Sequence, residues 1–263
     1  MLSLIQIRQK HYDHQRKKLI NMDADIDDWK FSPYNYFKSR VYIELSSILA
    51  FILQYTKITP NQITYIYLLC GVIGGILLSL EYKSLLIIGC LIFYFKGILD
   101  WTDGLIARIK QQTSSIGHIL DAWASNVGYI CFVSGITIHC YGLTNNTLYL
   151  FILICFLIFK SLDFKNYLYQ QSYYEISNNS PNIEDKIKEK SEINKKKENF
   201  FYIFIKSFMD DRARTTDSVI LVILLNLIYD LNIIIEIIVI LYFLKSIIIF
   251  FGHVYFFTKK KGN

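Results

Sequence analysis

The sequence predicts an all-α integral membrane protein, with six transmembrane helices preceded by an interfacial amphipathic helix. Three observations carry this. The chain of 263 residues is 53% hydrophobic and has a positive mean hydropathy. Its apolar residues fall in long windows that are apolar all round, where a soluble domain would show stripes separated by loops. The basic residues gather in alternate connecting segments, as the charge rule for multi-pass proteins requires. No secretory signal is expected, because the first forty residues are charged throughout and contain no apolar core.

Residues 1–40 form a polar segment, basic at Arg8, Lys10, Arg16, Lys17 and Lys18 and acidic around Asp23 to Asp28. Residues 43–55 are an apolar run too short to cross the ~30 Å hydrocarbon core. They are expected to lie in the interface between Arg40 and Lys57. Thr59-Pro60-Asn61-Gln62 is a helix start, with Thr59 as N-cap, Pro60 at the first helical position and Gln62 closing a capping box. The first span is expected at 61–80 and the second at 84–107 after the turn LEYK. The third is placed at 116–139 after the link KQQTSS, and the fourth at 147–169 after a turn that begins at Tyr141. A lysine-rich segment, 171–200, lacks apolar period and is expected to be a mobile strap facing lipid headgroups. The fifth span is placed at 216–229 and the sixth at 233–257, before the basic tail 259–263. Residues 41–258 thus form the membrane domain.

With the N-terminus in the cytoplasm, Lys83 is the one basic residue in the outer turns. The inner segments hold Arg108, Lys110, Lys186, Lys188, Lys190, Arg212, Arg214 and the terminal lysines. Both termini are therefore expected inside. Counting 43–55 as a seventh span would put the basic loops outside. Cys70, Cys90, Cys131, Cys140 and Cys155 sit in or beside apolar runs without a C-x-x-C pair and read as free thiols. Gly71-x3-Gly75 is a small-xxx-small pattern, for close packing within the bundle or for a dimer face. A lipid bilayer is the expected surroundings, a homodimer is open, and nucleic acid is not an expected partner.

The chemistry concentrates between Asp100 and Ser125. Asp100-Trp101-Thr102-Asp103-Gly104-Leu105-Ile106-Ala107-Arg108 ends one apolar run, and Gly117, His118, Asp121 and Ser125 open the next. Carboxylates at such a position are costly and functional by default. Asp100 and Asp103 share a helical face, which Gly104 and Ala107 leave nearly bare. Asp121 can face them from the next helix, so a cation held between two helices is expected. Lys96, one turn before Asp100, suits either phosphate binding or an intrahelical ion pair. Arg212 and Arg214 suit either a phosphate or topological anchoring. His139 and His253 read as structural, without partners.

The string D-x2-D-G-x2-A-R-x8-G-x3-D resembles the signature of the CDP-alcohol phosphatidyltransferase family. Asp100, Asp103, Gly104, Ala107, Arg108, Gly117 and Asp121 stand at seven of its eight fixed positions. The resemblance covers roughly residues 35–258. It implies that Asp100, Asp103 and Asp121 bind Mg2+ or Mn2+, and that Gly104, Ala107, Arg108 and Gly117 line a nucleotide site. It implies transfer of a substituted phosphate from a CDP-linked donor, CDP-diacylglycerol above all, to an alcohol acceptor with release of CMP, in phospholipid biosynthesis on the cytoplasmic side. Ser125 stands where the family carries its last aspartate, the base. A hydroxyl does not take up a proton at neutral pH as a carboxylate does. His118 shares a helical face with Asp121 and Ser125 and is a candidate substitute base. The other expectations are a family member that binds without turnover, and a cation-coupled transporter. A transporter site would more usually lie at mid-depth.

Overall fold

The computed structural model describes residues 1–20, 33–162, 213–229 and 232–260. Among the described residues every regular element is an α-helix: α1 Leu4–Ile20, α2 Pro33–Leu53, α3 Pro60–Ser79, α4 Lys83–Ile109, α5 Ser115–Thr144, α6 Leu148–Ser161, α7 Ala213–Tyr229 and α8 Asn232–Lys260. The 171–200 segment, Arg212, Asp210 and Asp211 and the last three residues of the tail lie outside the described residues, as does the side chain of His253.

The chain is an all-α membrane protein. Helices α3, α4, α5 and the Asn232–Gly252 part of α8 are long and apolar enough to cross a bilayer. The other two expected spans are shorter apolar helices, Leu148–Ser161 and Thr216–Tyr229. At 1.5 Å per residue the described part of α6 covers about 21 Å. At its end Leu162 donates its N–H to the Ile158 carbonyl, and the expected end at 169 lies outside the described residues. A boundary correction falls at α5. Its helix runs through Tyr141 to Thr144, so the turn falls on Asn145, which closes it in the left-handed region at φ 53° with its N–H on the Tyr141 carbonyl.

Exposed apolar stripes give the membrane reading physical content. On α3, Ile66, Leu69, Ile73 and Ile76 are each 45–58% exposed, while Ile63, Thr64 and Tyr67 are buried. Such a stripe on water would be an aggregation surface; against lipid it is the ordinary outer face of a helix. Helix α2, expected in the interface, is longer than its apolar run, because Pro33 starts it ten residues earlier. Its exposed stripe is Val41, Leu45, Ile48 and Ile52, and its buried face is Tyr42, Ile43, Ser46, Ser47 and Ala50.

The fold divides into two units. The first draws on Met1–Tyr67 and Lys96–Asp121. Here α1, which carries no strong apolar period, is held on α2 by specific polar contacts. Ser3 and Gln6 form a reciprocal capping box at its start. Gln54 clamps the Leu2 backbone, accepting from its N–H and donating to its carbonyl. Arg8 pairs with Glu44 through two nitrogens, each at 2.6 Å, and Tyr12 donates to the same carboxylate. The second unit draws, among the described residues, on Leu68–Phe95, 122–162, 213–229 and 232–260. Its core joins Leu78, Leu86, Cys90, Phe93, Phe132, Ile136 and residues of α6, α7 and α8. Gly75 is required there: a Cβ would lie 2.7 Å from the Cys131 carbonyl oxygen. The α3 backbone thus packs directly on α5, and Gly75 serves close packing inside the bundle.

Candidate active site on the motif helix

The predicted capping box at Thr59 is present. The Thr59 N–H donates to Gln62 Oε1 at 2.9 Å, and the Gln62 N–H returns to Thr59 Oγ1 at 3.4 Å. Lys110, just past α4, donates to the Thr56 and Ile58 carbonyls, both at 2.8 Å. The end of the motif helix is thereby tied to the start of α3. Gln111 ends α4 in the left-handed region at φ 55°, and the Gln112 N–H closes on the Ala107 carbonyl.

This register brings two hydroxyls of α3 onto the carboxylates. Thr64 and Tyr67, three residues apart and both buried, face the same way. Thr64 Oγ1 donates to Asp103 Oδ2 at 2.7 Å. The other oxygen of buried Asp103 accepts from the Gly104 N–H at 2.5 Å. The Tyr67 hydroxyl lies 2.6 Å from Asp121 Oδ1 and 2.8 Å from the Asp121 carbonyl oxygen. The carboxyls of Asp121 and Asp100 lie close enough to act on one another electrostatically. Like charges held that close call for a positive charge between them.

The three expected metal ligands therefore divide. Asp100 and Asp121 meet across α4 and α5, while both oxygens of Asp103 are engaged by Thr64 and Gly104. Among the described residues no group of three or more His, Cys, Asp or Glu is arranged around a common point. The donor set still fits a hard cation, because Mg2+ is typically held by one or two carboxylates and completes its shell with phosphate and water. The hydroxyl donors behind Asp103 and Asp121 are the outer contacts that orient such ligands.

Around the carboxylates, the face at Gly104 is open. A Cβ there would meet only Arg108 Nη1, at 3.5 Å. Ala107 is half-buried and Arg108 exposed on the same helix end. Gly117 is tight. A Cβ there would lie 3.0 Å from Ser114 Oγ and 3.3 Å from Asn61 Oδ1, so Gly117 admits the start of α3. Lys96 is buried, and its ammonium lies over the Tyr67 ring at 4.9 Å from the centroid. His118 is exposed on the first turn of α5, and Ser125 is half-buried one turn beyond Asp121, in the second unit. Arg214 starts α7 in the second unit, and its side chain, like all of Arg212, lies outside the described residues.

Two residues of the site escaped the sequence reading. Thr64 and Tyr67 look like ordinary members of an apolar helix, and only the helix register exposes them. In the second unit, Lys160 on α6 and Lys245 on α8 are 4% and 1% exposed. Their ammonium groups lie 4.6 and 5.6 Å from the Tyr129 ring centroid. Asn226 Oδ1, buried in the same unit, has no hydrogen-bond donor among the described residues. A lysine inside an apolar run was the available signal. His139 also has a partner, since its Nδ1 lies 3.0 Å from the Leu80 carbonyl.

No curated protein matches the chain. Residues 57–177 match the profile of the family described as CDP-alcohol phosphatidyltransferase. That family transfers phosphate from a CDP-alcohol to an acceptor and generally uses divalent metal ions. The matched segment holds the whole motif, both hydroxyls on its carboxylates and the capped start of α3, so the chain is similar to that family over residues 57–177.

Proposed function

We propose that the protein is a membrane transferase that moves a substituted phosphate from a CDP-activated lipid donor, CDP-diacylglycerol in the first instance, to an alcohol, releasing CMP in phospholipid synthesis. The supporting observation is the meeting of Asp100 with Asp121, backed by Tyr67 and Thr64 and set beside the open face at Gly104. The positive-inside pattern supports a cytoplasmic site and cytoplasmic termini.

Phosphoryl transfer is mainly positioning and charge stabilisation. Asp100 and Asp121 would hold the Mg2+ or Mn2+, with Asp103 beside them. The bound ion would neutralise the donor diphosphate. Tyr67 fixes the Asp121 carboxylate, and Thr64 with the Gly104 N–H fixes Asp103. The open Gly104 and Ala107 face leaves room for the nucleotide along the helix, and Arg108 supplies charge for phosphate. Gly117 keeps the start of α5 against Asn61. The acceptor oxygen bonds to phosphorus, the bond to CMP breaks, and the acceptor proton passes to a base. His118 is the candidate for that base, since Ser125 lacks the carboxylate.

Ser125 specifically favours a second reading, a protein that binds a CDP-linked lipid without turning it over. One experiment separates the two. Protein in detergent or lipid is given a panel of CDP-linked donors and alcohols with Mg2+ or Mn2+, and CMP is measured. Release of CMP by wild type, lost in Asp100→Asn and Asp121→Asn, is the expected result. Donor binding without CMP release supports the second reading, and absence of both refutes the site. Comparing His118→Ala with Ser125→Asp then assigns the base: unchanged activity in the first removes His118 from the role.

A further inference from the structure

Helix α1 lies outside the segment that matches the family, yet its contacts end on the motif turn. His11 is fully buried between α1 and its neighbours. The Ser46 hydroxyl donates to the Tyr42 carbonyl at 2.5 Å. His11 Nδ1, 3.2 Å from Ser46 Oγ, must then supply the proton of that contact, which fixes the tautomer. On the other side, the His11 ring lies against Trp101, with centroids 5.6 Å apart. Tyr42 of α2 lies against the same indole at 5.6 Å. Tyr42 also fills the notch left by Gly97, where a Cβ would be 2.7 Å from its ring and hydroxyl. Trp101 is the residue after Asp100 and two before Asp103. It is thus gripped by one ring from each N-terminal helix, and among the described residues His11 Nε2 remains a buried acceptor without a donor, within electrostatic reach of Arg108.

We propose that α1 is a positioning element for the donor site, and that His11, tied to Ser46 and stacked on Trp101, sets the α4 turn carrying Asp100. His11 touches no reacting atom, so it is a positioning residue that acts through Trp101. A helix serving only to stabilise the chain would not need a buried imidazole on the residue beside a ligand. Apolar contacts such as that of Ile7, also fully buried, would suffice. The inference rests on the metal site proposed above.

The test uses Mn2+ alone, as a paramagnetic quencher of Trp101 in the full chain with Trp29→Phe and Trp123→Phe. Saturable quenching in this background is expected. His11→Ala should raise the Mn2+ midpoint by about 10-fold, the lower end of the effect seen when groups behind metal ligands are removed. Ser46→Ala should raise it in the same direction, with little change in packing volume. His11→Asn, whose amide nitrogen can replace Nδ1 toward Ser46, should restore most of the affinity. A purely structural role would lower the amount of folded protein and leave the midpoint where it was. Unchanged midpoints in His11→Ala and Ser46→Ala overturn the inference. If His11→Ala does not fold, Ser46→Ala and His11→Asn decide it by the same criterion. Absence of saturable quenching in the background chain itself refutes the metal site, and the inference with it, which separates the two failures.

Discussion

Replacing Tyr67 by Phe tests the core of the site with the smallest change. The side chain is fully buried, and its hydroxyl is 2.6 Å from the Asp121 carboxylate. A hydrogen bond to a charged group contributes about 1.5–3 kcal/mol. At 1.4 kcal/mol per factor of ten, this corresponds to a loss of about 10- to 100-fold if all of it serves to orient Asp121 for the cation. The same range is typical when the outer partner of a metal ligand is removed. The ring survives the substitution, so the Lys96 ammonium keeps its aromatic seat at 4.9 Å and the charge of the site is unaltered. The assay is the Mg2+ dependence of CMP release, beside thermal melting in detergent. The expected result is a metal midpoint raised by one to two orders of magnitude, with melting little changed. An unchanged midpoint would refute the argument that α3 orients the carboxylates. A large drop in melting temperature with an unchanged midpoint would make the contact structural.

Four further outcomes are expected. Burial, the Arg108 charge and His14 push the His11 imidazole down to about 3, from 6.5 in the unfolded chain, so the unfolded form binds the extra proton between these values. Docking of α1 should be constant above pH 6.5 and weaken as pH falls through this window, by about 1.4 kcal/mol at pH 5.5; hydrogen exchange of α1 amides would show it, and a flat profile would contradict it. Gly104→Leu should abolish binding of CDP-linked donor in a binding titration while leaving the melting temperature unchanged, because the space there is open. Gly75→Ala should lower stability by about 1–3 kcal/mol, read by melting in detergent, because its methyl would meet the Cys131 carbonyl at 2.7 Å. Gln111→Gly should raise stability by up to about 1 kcal/mol in the same measurement, by relieving a left-handed residue at the end of α4.

What was legible in the sequence followed the strength of the local signal. Thr59-Pro60-Asn61-Gln62 was readable because a cap is written in four adjacent residues, and α3 begins where they place it. The motif was readable because its spacing fixes which side chains share a face. Helix ends were harder. The α5 helix overran its expected end because Tyr141, Gly142 and Leu143 carry no strong stop before Asn145, which tolerates positive φ. Helix α1 was invisible for a different reason. Its docking face is two buried residues, Ile7 and His11, and the rest of its hold is polar: Arg8 on Glu44, Tyr12 on Glu44 and Gln54 on Leu2. A hydrophobic period cannot report a helix held mainly by hydrogen bonds.

The same limit explains the site. Carboxylates in apolar surroundings announce themselves by cost, so Asp100, Asp103 and Asp121 stand out in one dimension. The groups that make them usable do not. Thr64 and Tyr67 are unremarkable in a membrane helix, where hydroxyls commonly bond back to their own backbone, as Thr102 and Thr137 do here. What distinguishes Thr64 and Tyr67 is the phase of α3 relative to α4 and the start of α5. That phase is set by the cap at Thr59, the Lys110 bonds to Thr56 and Ile58, and the absence of a side chain at Gly117 beside Asn61. Each of these contacts lies at the helix ends and touches no carboxylate, yet a slip of one residue in α3 would turn both hydroxyls away from the site. A Lys110→Ala variant should therefore lose metal affinity without losing a single ligand. Its Mg2+ midpoint for CMP release should rise together with that of Tyr67→Phe, and combining the two should cost less than the sum of the separate effects, because both act on the placement of the same carboxylate. Strict additivity in that cycle would show that the end of α4 and the register of α3 are not coupled.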